Sequence, residues 1–322
     1  MTESNPSGRS IVNLSTKTSV ESFLSSISCI IFDCDGVLYA GSSFFPHTIE
    51  CLTHLSQNLG KKLYFLTNNS TKSRVEYKKK FLSMGFESLD AIVEDVFCSA
   101  YAASIFLEDR VKSIEWANDE RERGIFVVGM SGIKEELENV GIKTFGYEFS
   151  TRSYSEDEIL ETFEEYKRRY DIKCVIVGYD KNWNMFKCAF AALCLQEIPG
   201  CIYVVTNEDT SLPWRGSFLP GNGTIIEQIN KATNRRPDVV CGKPNTLLLD
   251  HLVEKYELER KSVLMVGDRL ETDIRMANDA KISSLAVISG VASLEDVTNA
   301  VDEERPDFVV KSLNDMFLML KE

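Results

Sequence analysis

The chain has 322 residues, 43% of them hydrophobic, and a formal net charge of −13. The length suits two domains, and the hydrophobic share supports a sizeable core. The acidic balance argues against binding nucleic acid or an anionic membrane, both of which need a basic surface. An anionic substrate stays open, provided that lysine, arginine or a metal offsets the field locally.

Nine cysteines, an odd number without C-x-x-C spacing, give no zinc or disulfide framework. Only three histidines occur, His47, His54 and His251, so histidine-based catalysis or a histidine-rich metal site is not expected. The N-terminus has no apolar signal core, and no apolar run approaches the roughly 18 residues of a membrane span. The expectation is a reduced, cytoplasmic protein.

Residues 1–20 are rich in Ser, Thr and Asn and read as a loose arm with a short helix from Ser19. The apolar run Cys29–Phe32 reads as a buried strand that ends in Asp33-Cys34-Asp35-Gly36. Gly36 permits a turn that a Cβ would hinder. An amphipathic helix is expected over 48–59, then a strand over 62–66 ending in Thr67-Asn68-Asn69-Ser70. A basic helix follows over 72–84, stopped by Gly85, and a further helix over 95–107.

From residue 110 the order of elements begins again. Strands are expected over 124–128, 173–177 and 201–205, with helices over 133–140, 156–170 and 185–196. The Gly- and Pro-rich segment 212–223 leads out to a helix over 224–232. The first pattern then resumes. Gly242-Lys243-Pro244-Asn245 opens a helix, with the proline suited to its first turn. A strand over 262–266 ends in Gly267-Asp268-Arg269, and Asp273 lies near the start of the next helix. Late strands over 284–288 and 307–310 and a helix over 312–320 close the chain. Such β-α alternation implies a doubly wound parallel sheet, residues 1–109 and 237–322, with an α/β insert over 110–236.

Asp33, Thr67 and Asp268 follow three apolar strands. In an open parallel sheet chemistry gathers at such carboxyl ends. A carboxylate there can attack phosphorus. Charge on the transferring oxygens then needs a metal, a lysine and hydroxyl or amide donors. Asp33 and Asp268 can ligate Mg²⁺ through oxygen, with Asp273 as a further ligand or one acting through water. Thr67 and the Asn68 backbone can donate to phosphate, and Lys243 can neutralise it. Each motif alone has a plainer reading: a helix cap after a strand, an exposed loop lysine, a simple turn. Their joint occurrence at matching strand and helix ends favours a phosphoryl-transfer site.

The set Asp33-Cys34-Asp35-Gly36, Thr67-Asn68-Asn69-Ser70, Gly242-Lys243-Pro244 and Gly267-Asp268-Arg269 with Thr272-Asp273 resembles the haloacid dehalogenase (HAD) superfamily. More narrowly it is similar to the branch with a large α/β cap, in the 4-nitrophenylphosphatase, phosphoglycolate phosphatase and pyridoxal phosphatase group. Val177-Gly178-Tyr179-Asp180, Thr206-Asn207-x-Asp209 and Pro220-Gly221-x-Gly223 match cap signatures of that branch. The resemblance implies a Rossmann-like core with an inserted α/β cap. It also implies a Mg²⁺-dependent phosphomonoesterase acting on a small phosphorylated metabolite, phosphoglycolate first, and pairing of two copies through the cap. Asp33 would be the nucleophile and Asp35 the acid/base, with its main-chain carbonyl on the metal. Thr67, Asn68 and Asn69 would hold phosphate, Lys243 would stabilise it, and Asp268 would complete the metal site with Asp273 nearby.

Arg74 matches a position near the substrate in relatives and could meet a carboxylate. Gly178, Asp180 and Asn182 would contribute from the cap. Relatives commonly carry His where this chain has Asn182, which weakens any transfer of substrate preference. The enzymatic alternative is a pyridoxal phosphatase, for which Trp183 and Trp214 could line a ring pocket. The non-enzymatic one is a phosphate-accepting switch or a metabolite sensor. A switch needs no acid/base at Asp35 and no lid that excludes water, and an inactive sensor would be expected to have lost one of the four motifs, all of which are present.

Overall fold

The computed structural model describes residues 10–113, 120–151, 155–214 and 217–322, with the side chains of residues 213 and 214 outside the description. The chain forms two compact units. One comprises residues up to Thr67, Tyr77–Phe97 and Lys243–Glu322; the other comprises Asn68–Glu76 and Cys98–Gly242. The β-α alternation of the sequence by itself divides the chain at 109/110 and 236/237.

The first unit holds a seven-stranded sheet in the order Val12–Asn13, Phe308–Val310, Ser283–Val287, Val263–Gly267, Cys29–Phe32, Lys62–Thr67 and Val93–Cys98. The pairs from Val12–Asn13 across to Lys62–Thr67 are parallel. Cys29–Phe32 is buried along its whole length, as its unbroken apolar run requires. The chain leaves it on one side toward Lys62–Thr67 and on the other side meets Val263–Gly267, so the strand order reverses there. Phe65, Phe81, Phe86 and Phe44 pack edge-on and stacked beside it.

Three expectations for this unit are corrected. Residues 12 and 13 are not a loose arm but a strand, Val12 and Asn13 pairing with Phe308 and Val309. The helix there is Lys17–Ser25, and Ser19 is part of its Thr16 capping box rather than its start. The helix expected over 95–107 is the strand Val93–Cys98 followed by the helix Ser99–Ser113. Val93, Val96, Phe97 and Cys98 are all buried in that strand, so pairing at the sheet edge overrides helical spacing. Pro244 follows a cis peptide bond and precedes the helix, whose first residue is Leu247.

The second unit holds a five-stranded parallel sheet in the order Val239–Val240, Ile202–Val205, Tyr170–Val177, Glu122–Val128 and Thr144–Phe145. The segment 212–223, read from sequence as a Gly- and Pro-rich exit, overlaps an antiparallel pair of strands, Ser211–Trp214 and Ser217–Pro220. The helix Met185–Glu197 presents Phe186, Phe190 and Ala191 to a core with Phe126, Phe145, Phe149 and Phe163. Phe190 lies at its centre, 4.6 Å from Phe126 and 5.4 Å from Phe149 between ring centroids. No helix among the described residues is long and apolar enough to cross a membrane.

Phe190→Ala should empty the middle of this aromatic core. We expect a loss of about 3–5 kcal/mol in chemical denaturation, confined to the transition of the unit that contains it.

Candidate active site

Register brings the first unit's strand ends together. Phe32 is level with Val266 on one neighbour and with Phe65 on the other. Asp33 therefore emerges between Gly267 and Leu66, with Asp268 and Thr67 one residue further along. Asp33 keeps the ladder going for one more bond, its amide donating to Val266 at 2.8 Å. Thr67 closes its own strand and is buried.

Lys243 is the hub of the site. Its buried ammonium donates to Asp33 Oδ1, lies 2.6 Å from Asp273 Oδ1, and donates to the Leu66 carbonyl at 3.3 Å. Burial alone would lower its pKa; Asp273 and Asp33 outweigh that and raise it above the ordinary lysine range. Burial pushes the Asp33 carboxyl well up. Lys243 works against this, and Asp273 and Asp268 add to it. Asp268 is pushed up to about 7 by burial and then by Asp273, against the Val291 amide, Arg269 and Lys243.

Asp273 sits on a π-helical turn, Leu270–Ile274. Its Oδ2 accepts the amides of Asp268 at 3.2 Å and Arg269 at 3.1 Å, so it shapes the loop that carries Asp268. Asp268 Oδ2 accepts the Val291 amide at 2.8 Å, whereas its buried Oδ1 has no hydrogen-bond partner. One oxygen from each of Asp33, Asp268 and Asp273 lies within 4.8 Å of the others. An orphaned carboxylate oxygen in an all-oxygen cluster with more acids than bases fits a hard divalent cation.

Three glycines make room for these acids. A Cβ on Gly36 or Gly290 would overlap the Asp268 carboxylate, and one on Gly267 would overlap Asp273. Gly36 also has φ +89°, which favours glycine. Gly290 was not visible from sequence, because it lies in a loop whose approach to Asp268 depends on the Ser283–Val287 strand. Asp35 is exposed, yet the protein around it pushes its carboxyl up from the usual value, opposed by Lys80 and the Tyr39 hydroxyl. Tyr39 donates to Asp35 Oδ2 at 3.0 Å, a contact that the motif does not announce.

The remaining expected residues belong to the second unit. The Asn68 carbonyl accepts Ser99 Oγ and Asn207 Nδ2, and its own side chain donates to Asp209 at 3.3 Å. Asn69 Oδ1 accepts the Thr71 amide and hydroxyl. Arg74 meets Glu136 through Nε and Nη2 at 3.0–3.2 Å, and its guanidinium lies 3.4 Å from the Tyr101 ring centroid. Its charge thus has a partner, Glu136, inside the unit. Asp180 forms a buried pair with Lys187 at 2.6 Å, and Gly178 lets Ile133, Ser70 and Thr206 close in. Asn182 is exposed, with its amide on Asp180 Oδ1 at 2.8 Å. Trp183 packs against the unit's core and donates to Gln228, and the Trp214 side chain lies outside the described residues.

Residues 30–143 match the family of haloacid dehalogenase-like hydrolases, and residues 240–316 match a HAD-hydrolase-like family. The chain is 33% identical over 317 residues to phosphoglycolate phosphatase 1A, chloroplastic, of Arabidopsis thaliana, covering 98% of this chain and 83% of that protein. It belongs to the haloacid dehalogenase-like hydrolases.

The 4-nitrophenylphosphatase of Schizosaccharomyces pombe is 32% identical to this HAD-like chain over 301 residues, covering 93% of it and 96% of that protein. A glycerol phosphate phosphatase from Mycobacterium tuberculosis, solved in complex with magnesium, superposes with a TM-score of 0.72 at 26% identity, covering 91% of this chain and 78% of that one. This HAD-like chain is a phosphoric monoester hydrolase, and the switch and sensor readings are set aside.

Gly290→Ala tests the packing around Asp268. The added Cβ should displace the carboxylate without opening the sheet. The divalent-metal concentration for half-maximal activity should rise about 10–100-fold, as for other residues that support a ligand. A metal titration of activity, with circular dichroism to verify the fold, reads this out.

Proposed function

We propose that the chain is a Mg²⁺-dependent phosphatase of small phosphorylated metabolites, with phosphoglycolate as its first substrate, working through a phosphoaspartate on Asp33. The observation that carries this reading is the buried contact of Lys243 with Asp33 and Asp273, next to the orphaned oxygen of Asp268. Asp33 and Asp268, with the Asp35 main-chain carbonyl, would hold the metal. When bound, the metal supplies positive charge that offsets the phosphoryl oxygens.

The residues divide the work. Asp33 uses a carboxylate oxygen to form a bond to phosphorus as the ester P–O bond breaks. Asp35 gives its proton to the departing oxygen. It then takes a proton from the water whose oxygen attacks phosphorus, releasing phosphate and restoring Asp33. Lys243 orients Asp33 and offsets charge on the phosphoryl group. Thr67 offers a hydroxyl donor. Asp273 holds Lys243 and the loop before Asp268.

Glycerol phosphate is the second reading. Arg74 has Glu136 as its charge partner, and glycerol phosphate carries no carboxylate that would need a free guanidinium. The similar structure with magnesium is a glycerol phosphate phosphatase. The pyridoxal reading is weakened because Trp183 packs on the core of its unit. We also read the protein as cytoplasmic, in keeping with nine free, buried cysteines. We read it as a homodimer through the second unit, where Met185 and Phe218 stand exposed. A light-scattering mass of one chain would remove that last point.

Wild-type protein should hydrolyse 4-nitrophenyl phosphate with Mg²⁺ and lose turnover in excess chelator. Intact-mass spectrometry should find a phosphate adduct on the wild-type chain and none on Asp33→Asn. An adduct on that variant would end the assignment of the nucleophile. Comparison of kcat/KM for phosphoglycolate and glycerol phosphate decides between the two substrates.

Asp268→Ala and Asp273→Ala should fail differently. The first removes the oxygen offered to the metal and should raise the Mg²⁺ requirement. The second releases Lys243 and should lower kcat with a smaller change in Mg²⁺ requirement. Equal Mg²⁺ shifts would make Asp273 a ligand in its own right.

A further inference from the structure

Asp35 is exposed, and a group that transfers protons has to be reachable. A carboxyl that donates a proton to a leaving oxygen must also carry it on the correct oxygen and point it the right way. Something must therefore orient Asp35 from the protein side.

Tyr39 has that place. Its side chain is fully buried, and its hydroxyl donates to Asp35 Oδ2 at 3.0 Å. No other hydrogen bond to that hydroxyl is found among the described residues. The backbone sets the distance. The Leu38 and Tyr39 amides both donate to the Cys34 carbonyl, at 2.9 and 3.3 Å, and the Gly36 amide donates to the Tyr39 carbonyl at 2.9 Å. The ring is fixed as well. Phe44 meets it edge-on at 6.2 Å, Phe81 lies 6.0 Å away, and Lys80 Nζ sits 3.7 Å from its centroid. Tyr39 belongs to the short hairpin of Tyr39–Ala40 and Ser43–Phe44, whose pairing places Tyr39 opposite Phe44.

Packing does not call for this hydroxyl. A phenylalanine would fill the same space, and a buried hydroxyl is costly unless it is bonded. Its bond goes to a carboxylate that solvent could serve equally well. We infer that Tyr39 is a positioning residue for the proton donor, holding Asp35 Oδ2 so that the other carboxyl oxygen carries the proton; this rests on the acid/base role proposed above for Asp35.

The test varies the leaving group. 4-Nitrophenolate departs with little help from a proton, whereas the alkoxide of glycerol phosphate needs one. Tyr39→Phe should lower kcat/KM about tenfold for glycerol phosphate and under about threefold for 4-nitrophenyl phosphate, the scale of one lost hydrogen bond. Asp35→Asn should show the same selectivity on a larger scale, roughly 10²–10⁴-fold. Adding Tyr39→Phe to Asp35→Asn should cost nothing more. Equal losses of Tyr39→Phe on both substrates, no loss on either, or a further loss in the double variant would each overturn the inference while leaving Asp35 in its role. Equal losses of Asp35→Asn on both substrates would remove Asp35 as the acid, and the inference with it.

Discussion

The Lys243 ammonium, buried against Asp33 and Asp273, is the interaction on which the site depends. Three carboxylates packed at the end of one sheet repel one another, and burial strips them of water. One lysine cannot balance three acids. The remainder fits a divalent cation, and the unpartnered Asp268 oxygen marks where charge is still unanswered. The same arrangement suits phosphoryl transfer, because Lys243 and a bound divalent cation would together offset the negative charge that an incoming phosphate brings.

The sheet makes this crowding possible. Cys29–Phe32 lies between Lys62–Thr67 and Val263–Gly267, and their register brings Asp33, Thr67 and Asp268 within one residue of the same level. Loops then come close enough to hold the acids only because Gly36, Gly267 and Gly290 lack side chains. Around Asp35 the logic differs. The carboxyl stays at the surface while Tyr39 holds it from below, so access and orientation come from opposite sides.

The second unit uses charge mainly to build itself. Arg74 ties the Asn68–Glu76 segment to Glu136, and Asp180 is joined to Lys187 in the interior. The buried Glu136, Asp180 and Lys187 charges would be expensive alone. Residues that look like substrate contacts in a motif can therefore be scaffold, and a motif match cannot separate the two roles.

The acidic motifs, their order and the alternation of elements were determined by sequence, because strand runs and turn residues are local properties. On that basis Asp33, Asp35, Thr67, Lys243, Asp268 and Asp273 could be named without coordinates. Local pattern misread Val93–Cys98 as helix, since a sheet edge supplies what propensity lacks. It also left Val12–Asn13 in a loose arm, because the partner strand lies some 300 residues later. Arg74 with Glu136 and Gly290 against Asp268 were decided by tertiary structure alone. Partner choice for a charge or an empty Cβ position depends on which chain segments fold against each other, and sequence spacing does not encode that distance.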